Sequence, residues 1–131
     1  MAIGRRAMRD PIRGAFLALL VSMSDVAPAV ADPLKDATAA DSRGDYAAAF
    51  RLLNPLAAQG NARAQDALGF MYERGNGVPR DDAQAVKWFR KSADQGNAAA
   101  QFSLGRKYHE GRGVGQDSVQ AYMWYNLGRR V

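Results

Sequence analysis

Residues 59–93 are followed, from Gln95, by a second copy of themselves, and this constrains the fold more than any other feature. The first copy reads QGNARAQDALGFMYERGNGVPRDDAQAVKWFRKSA, and the second reads QGNAAAQFSLGRKYHEGRGVGQDSVQAYMWYNLGR. Gly60 and Gly96 set the period at 36 residues (96 − 60), with no gap needed afterwards. Matched pairs include Ala64/Ala100, Leu68/Leu104, Gly69/Gly105, Tyr72/Tyr108, Gly75/Gly111, Val78/Val114, Asp81/Asp117, Ala85/Ala121 and Trp88/Trp124. Self-similarity at this spacing marks a stacked array in which each unit buries its apolar face only against its neighbours.

Each copy reads as two helices. Asn61 follows Gly60 and is placed to cap the first, in which Ala64, Leu68, Met71 and Tyr72 share a face. Gly69 borders that face, and its recurrence at Gly105 predicts that another helix passes close by. Gly75 ends the helix as a left-handed cap, and Gly77, Val78 and Pro79 turn the chain. Asp81, with Gln84 three residues on, predicts a variant of the capping box at the start of the second helix, and Asp117 with Gln120 repeats it. Ala85, Trp88, Phe89 and Ser92 then share a face, with Trp88 expected to pack partly on the following repeat, while Gln84, Lys87, Lys91 and Asp94 face solvent. Residues 32–60 form a degenerate leading unit: a helix over Leu34 to Ser42, a break at Arg43-Gly44, and a helix from Tyr46 to about Ala58 capped by Asp45. Pro55 is expected to weaken or kink this second helix. Residues 61–96 and 97–131 are the full units, so the fold class is all-α, built from antiparallel helix pairs.

The first 31 residues have a different character. Arg5, Arg6, Arg9 and Arg13 make a positive head, Ala15 to Val21 an apolar run, and Ala29-Val30-Ala31 a small-x-small end. That order predicts a secretory signal peptide cleaved after Ala31, and hence a periplasmic or secreted protein. The Arg5-Arg6 pair leaves both the general and the twin-arginine routes open. Without these residues 14 basic face 11 acidic side chains, a net +3, too mild to suggest a nucleic-acid partner. The chain has no cysteine, which excludes disulfides and thiolate metal sites.

Little in the sequence suggests catalysis, cofactors or metals. His109 is the only histidine and matches Glu73 on the outward side of the first helix, which reads as a solvated surface side chain. Glu73 and Glu110 are each placed to pair with a nearby arginine rather than to form an acid/base couple. Ser92, Ser103 and Ser118 have no base at a recognisable spacing, and the Gly75-Asn76-Gly77 and Gly111-Arg112-Gly113 loops lack the Lys-Ser/Thr of a phosphate-binding loop.

The run A-Q-x-x-L-G-x-x-Y-x-x-G-x-G-V, followed by D, A and W-[FY], resembles the Sel1-like repeat family, relatives of tetratricopeptide repeats, over residues 59–129. The resemblance implies a right-handed α-α superhelix, or solenoid, and an adaptor or scaffold role, with bacterial members often exported and tied to envelope assembly or regulation. In such arrays the outer side of each first helix lines a groove. Here that side carries Arg63, Asp66, Phe70 and Arg74, then Ala99, Phe102, Arg106 and Glu110, an aromatic and basic surface suited to a protein or peptide segment. The competing reading packs Phe70 and Phe102 between adjacent helices. A second candidate interface is the last helix, where Tyr122, Trp124 and Tyr125 are expected to form an uncovered edge able to make a homo-oligomer. Two alternatives to a binding module are a structural stub dimerised through that edge and, far less supported, an enzyme acting on cell-wall material.

Overall fold

A computed structural model describes residues 32–130. The signal-peptide reading of residues 1–31 lies outside the described residues. Six helices fill the described chain: α1 (Pro33–Ser42), α2 (Tyr46–Ala58), α3 (Ala62–Arg74), α4 (Asp82–Asp94), α5 (Ala98–Glu110) and α6 (Ser118–Arg129). Each packs chiefly on the helix before and the helix after it. None of the described helices is long and apolar enough to cross a membrane.

The helix ends follow from local chemistry. Asp45, Asn61, Asp81, Asn97 and Asp117 each accept a hydrogen bond from a backbone N–H three residues on, satisfying a donor that has no partner inside its helix. Gly75 and Gly111 close α3 and α5 in the left-handed conformation. The capping box is only half made. The backbone N–H of Asp81 donates to the Tyr72 carbonyl at 2.9 Å, and that of Asp117 to the Tyr108 carbonyl at 3.0 Å. Those N–H groups therefore tie each loop to the preceding helix instead of donating to a glutamine side chain. Helix α2 runs through Pro55 without interruption.

Two apolar clusters form the core. The first joins α1, α2 and α3 through Ala37, Ala40, Ala49, Leu53, Leu68 and Met71, and the second joins α4, α5 and α6 around Phe89, Leu104, Tyr108 and Trp124. Gly69 does mark a close crossing: a Cβ there would lie 2.5 Å from the Phe89 ring. Trp88 corrects the sequence expectation, since it packs back on the first cluster and not forward on the next repeat. Phe89 commits its own face of α4 to the crossing over Gly69, and one residue turns a helical side chain by about 100°, which carries Trp88 toward the earlier helices. Buried glutamines stitch the units together. Gln65 Nε2 donates to the Ala57 carbonyl at 3.1 Å, and Gln101 Nε2 repeats this with Ala93 at 3.2 Å.

Candidate functional site

The first helix of each pair contributes a wall to one surface. A hollow of about 400 Å³ opens between α1, α3 and the start of α5, lined among others by Leu34, Asp41, Arg63, Asp66, Phe70 and Arg74. A second, of about 530 Å³, adjoins it through the shared residues Phe70 and Arg74 and is lined also by Arg80, Phe102, Arg106 and Arg112. The structure thus brings Arg63, Asp66, Phe70 and Arg74 together in one hollow, and Phe70, Arg74, Phe102 and Arg106 in the other. Glu110 stands apart, exposed and 3.7 Å from Arg112.

The two phenylalanines differ. Phe70 is half-buried, meeting Phe89 edge-on at 5.0 Å between centroids, with the Arg74 guanidinium 5.1 Å above its own ring. Phe102 is 58% exposed and rests against Tyr125 at 5.2 Å. Phe102 is therefore an accessible apolar platform, whereas Phe70 is partly core. On α6, Tyr122 is exposed and Tyr125 half-buried, but Trp124 is only 8% exposed and belongs to the second core cluster. The exposed row on that helix is Val119, Tyr122 and Met123, a spacing of three and four residues that sets them on one face.

Asp66 lies in the first hollow with its Oδ1 buried and without a hydrogen-bond partner among the described residues. Burial pushes its carboxyl up from 3.8 to about 6. Because the folded value exceeds the unfolded one, ionisation opposes folding, and stability falls as pH rises through about 4 to 6. Asp66→Asn is expected to leave stability unchanged at pH 4 and to raise it by about 1 kcal/mol at pH 7, allowing for solvent screening of a partly exposed group. Urea unfolding of both proteins at the two pH values checks this.

Beneath the second hollow lies a charge cluster in which Glu73 pairs with an arginine as the sequence predicts, but to whose central lysine the sequence alone assigns no role. Lys107 is fully buried. Its Nζ lies 2.6 Å from Glu73 Oε1 and 3.0 Å from Asp82 Oδ1, joining α5 to α3 and α4. Arg106 donates to both Glu73 oxygens, at 2.9 and 3.0 Å. Burial pushes the Glu73 carboxyl up, but the Lys107 ammonium and Arg106 guanidinium together outweigh it and hold the group below its ordinary 4.5. The sequence signal was present in the repeat: Lys107 matches Met71, a core side chain in the other copy. Among the described residues no group of three or more carboxylate and histidine side chains is arranged to hold a metal ion.

Helix pairs stacked in register, with no strand among the described residues, define an all-α helical repeat solenoid. The chain belongs to the Sel1 repeat family, whose repeat matches residues 40–61, 62–97 and 98–128. It is similar to the crystal structure of a Sel1 repeat protein from Oxalobacter formigenes, with 33% identity and a TM-score of 0.71 over 74% of this chain and 40% of that one. It is similar also to c5321, a protective antigen present in uropathogenic Escherichia coli strains and displaying an SLR fold, with 45% identity and a TM-score of 0.64 over 65% of this chain and 18% of that one. The chain therefore spans less than half the length of either relative. No curated protein matches it. Sel1 repeats generally mediate protein–protein interaction, and the family is generally one of non-catalytic scaffolds.

Proposed function

We propose that this chain is an exported interaction module of the bacterial envelope that holds a protein or peptide segment on the surface formed by α1, α3 and α5. One observation carries the reading: side chains of those three helices, Leu34, Asp66, Phe70 and Ala99 among them, wall a hollow of about 400 Å³ with acidic, basic and aromatic groups facing the same space. Such a mixture suits an extended segment, with an aromatic anchor ringed by polar groups that set its register. The family's general role in protein interaction, and the bacterial origin of both similar structures, support it.

Capture from an envelope extract tests the reading. The wild-type chain should retain a partner that Phe70→Ala with Phe102→Ala loses by at least about tenfold. Because Phe70→Ala also strips a packing neighbour from Phe89, Arg63→Ala with Phe102→Ala serves as a second variant, with folding checked by circular dichroism. Capture unchanged by both double variants removes the groove from consideration. The exposed Val119, Tyr122 and Met123 face favours a second reading, self-association through α6. Sedimentation at several concentrations separates the two, since only the second predicts a mass that rises with concentration.

A further inference from the structure

Within that groove reading, we infer that the bound segment is acidic, its carboxylates meeting Arg74, Arg80 and Arg112 while one of its apolar side chains rests on Phe102. The argument begins below the surface. Buried Lys107 draws the carboxylates of Glu73 and Asp82 inward, at 2.6 and 3.0 Å, and Arg106 covers Glu73 from the side. The outer guanidiniums then share what remains. Arg80 reaches Asp82 Oδ2 at 3.3 Å, and Arg112 lies 3.6 Å from the same oxygen. Arg74 has no carboxylate partner among the described residues and is held against the Phe70 ring, its N–H edge free to donate. Five cations (Arg74, Arg80, Arg106, Lys107, Arg112) thus meet two carboxylates, Glu73 and Asp82, with Glu110 at the margin beside Arg112.

A positive rim above a neutralised floor attracts carboxylates, and planar guanidiniums bind them bidentately. Phe102, 58% exposed and backed by Tyr125, supplies the apolar contact within the same hollow of about 530 Å³. A nucleic acid would call for a longer basic track, which a net +3 after residue 31 does not provide.

The test is selection of a displayed random peptide library on the full chain, followed by fluorescence anisotropy of an acetylated, amidated Glu/Leu peptide, its Lys/Leu counterpart and an oligo-dT of matched charge. Acid-rich sequences should be enriched. The Glu/Leu peptide should bind about tenfold more weakly to Arg74→Ala with Arg112→Ala, and its affinity should fall with added salt. Melting temperature confirms that this variant folds, and Arg80→Ala alone provides a milder version of the same loss. Enrichment of neutral or basic peptides that Phe102→Ala abolishes overturns the acidic assignment but leaves the groove standing. Absence of enrichment, or peptides indifferent to every variant, overturns both. Oligo-dT binding tighter than the Glu/Leu peptide also overturns the proposal.

Discussion

Lys107→Ala is expected to destabilise the fold by about 3 kcal/mol, the cost of breaking a buried ion pair from one side. For a small domain whose total stability is roughly 5–15 kcal/mol this is a large fraction, and it will appear as a lower urea midpoint. The side chain is fully buried, and among the described residues its amine alone reaches both Glu73 on α3 and Asp82 on α4 from α5. Removing it leaves two carboxylates partly desolvated and opens a void where α5 docks on the preceding pair. Lys107→Met separates these effects. Met71 occupies the matched position in the other repeat and is buried there, so methionine should restore packing and recover part of the loss. What it does not restore is the charge balance. The Glu73 carboxyl is held below its ordinary 4.5 in the native protein, so its contribution is present above that value and is lost as pH falls through the lower folded one. The stability gap between wild type and Lys107→Met should therefore be widest near neutral pH and narrow on acidification. A gap that does not change with pH would show that Lys107 acts by volume alone.

Most of the scaffold was legible because its signals are local. A cap needs one side chain at one position, and Asp45, Asn61, Asp81 and Asp117 all act as their spacing predicts, with Asn97 repeating Asn61 one period on. Gly69 and Gly105 were readable as crossings because only a missing Cβ explains glycine twice in mid-helix. Direction across the stack was less legible. A wheel shows that Trp88 is inward, but not whether inward means the earlier or the later neighbour, and for the same reason it sets Trp124 at an edge although the side chain is buried. The capping box failed at its second arm because the competing acceptor, the Tyr72 carbonyl, lies across a loop whose path the sequence does not describe. Lys107 was hidden by averaging. Matching the copies for what they share passes over a lysine opposite a core methionine, although such a mismatch points to a buried charge with a partner. The candidate site shows the opposite side of the same rule: Asp66, Phe70, Glu73, Phe102 and Arg106 all lie where the copies differ, and all line or underlie the two hollows.

Gly113→Ala should cost about 3 kcal/mol, more than its place in an exposed loop suggests. Two effects add. The residue has φ +76, where an L side chain is strained by about 1 kcal/mol. In addition, a Cβ would stand 2.2 Å from the Asp82 carbonyl oxygen and 2.4 Å from its carbon. Those are backbone atoms of the first residue of α4, so no rotamer change relieves the overlap, and the loop must lift away from the preceding unit. Gly77 stands in the same relation to Tyr46, at 2.7 Å, which makes this contact a repeated element of stacking and not only a turn. Gly44→Ala isolates the first effect: φ is again +76, but nothing among the described residues lies within 4 Å. It should cost about 1 kcal/mol. A Gly113→Ala loss no larger than that of Gly44→Ala would mean that the loop does not bear on α4. If the loss is larger, lifting the loop also displaces Arg112 from Asp82, the ion pair at 3.6 Å, and loosens the rim of the second hollow. Peptide binding measured well below the melting temperature should then weaken in Gly113→Ala and stay at the wild-type level in Gly44→Ala, linking the stacking contact to the surface it supports.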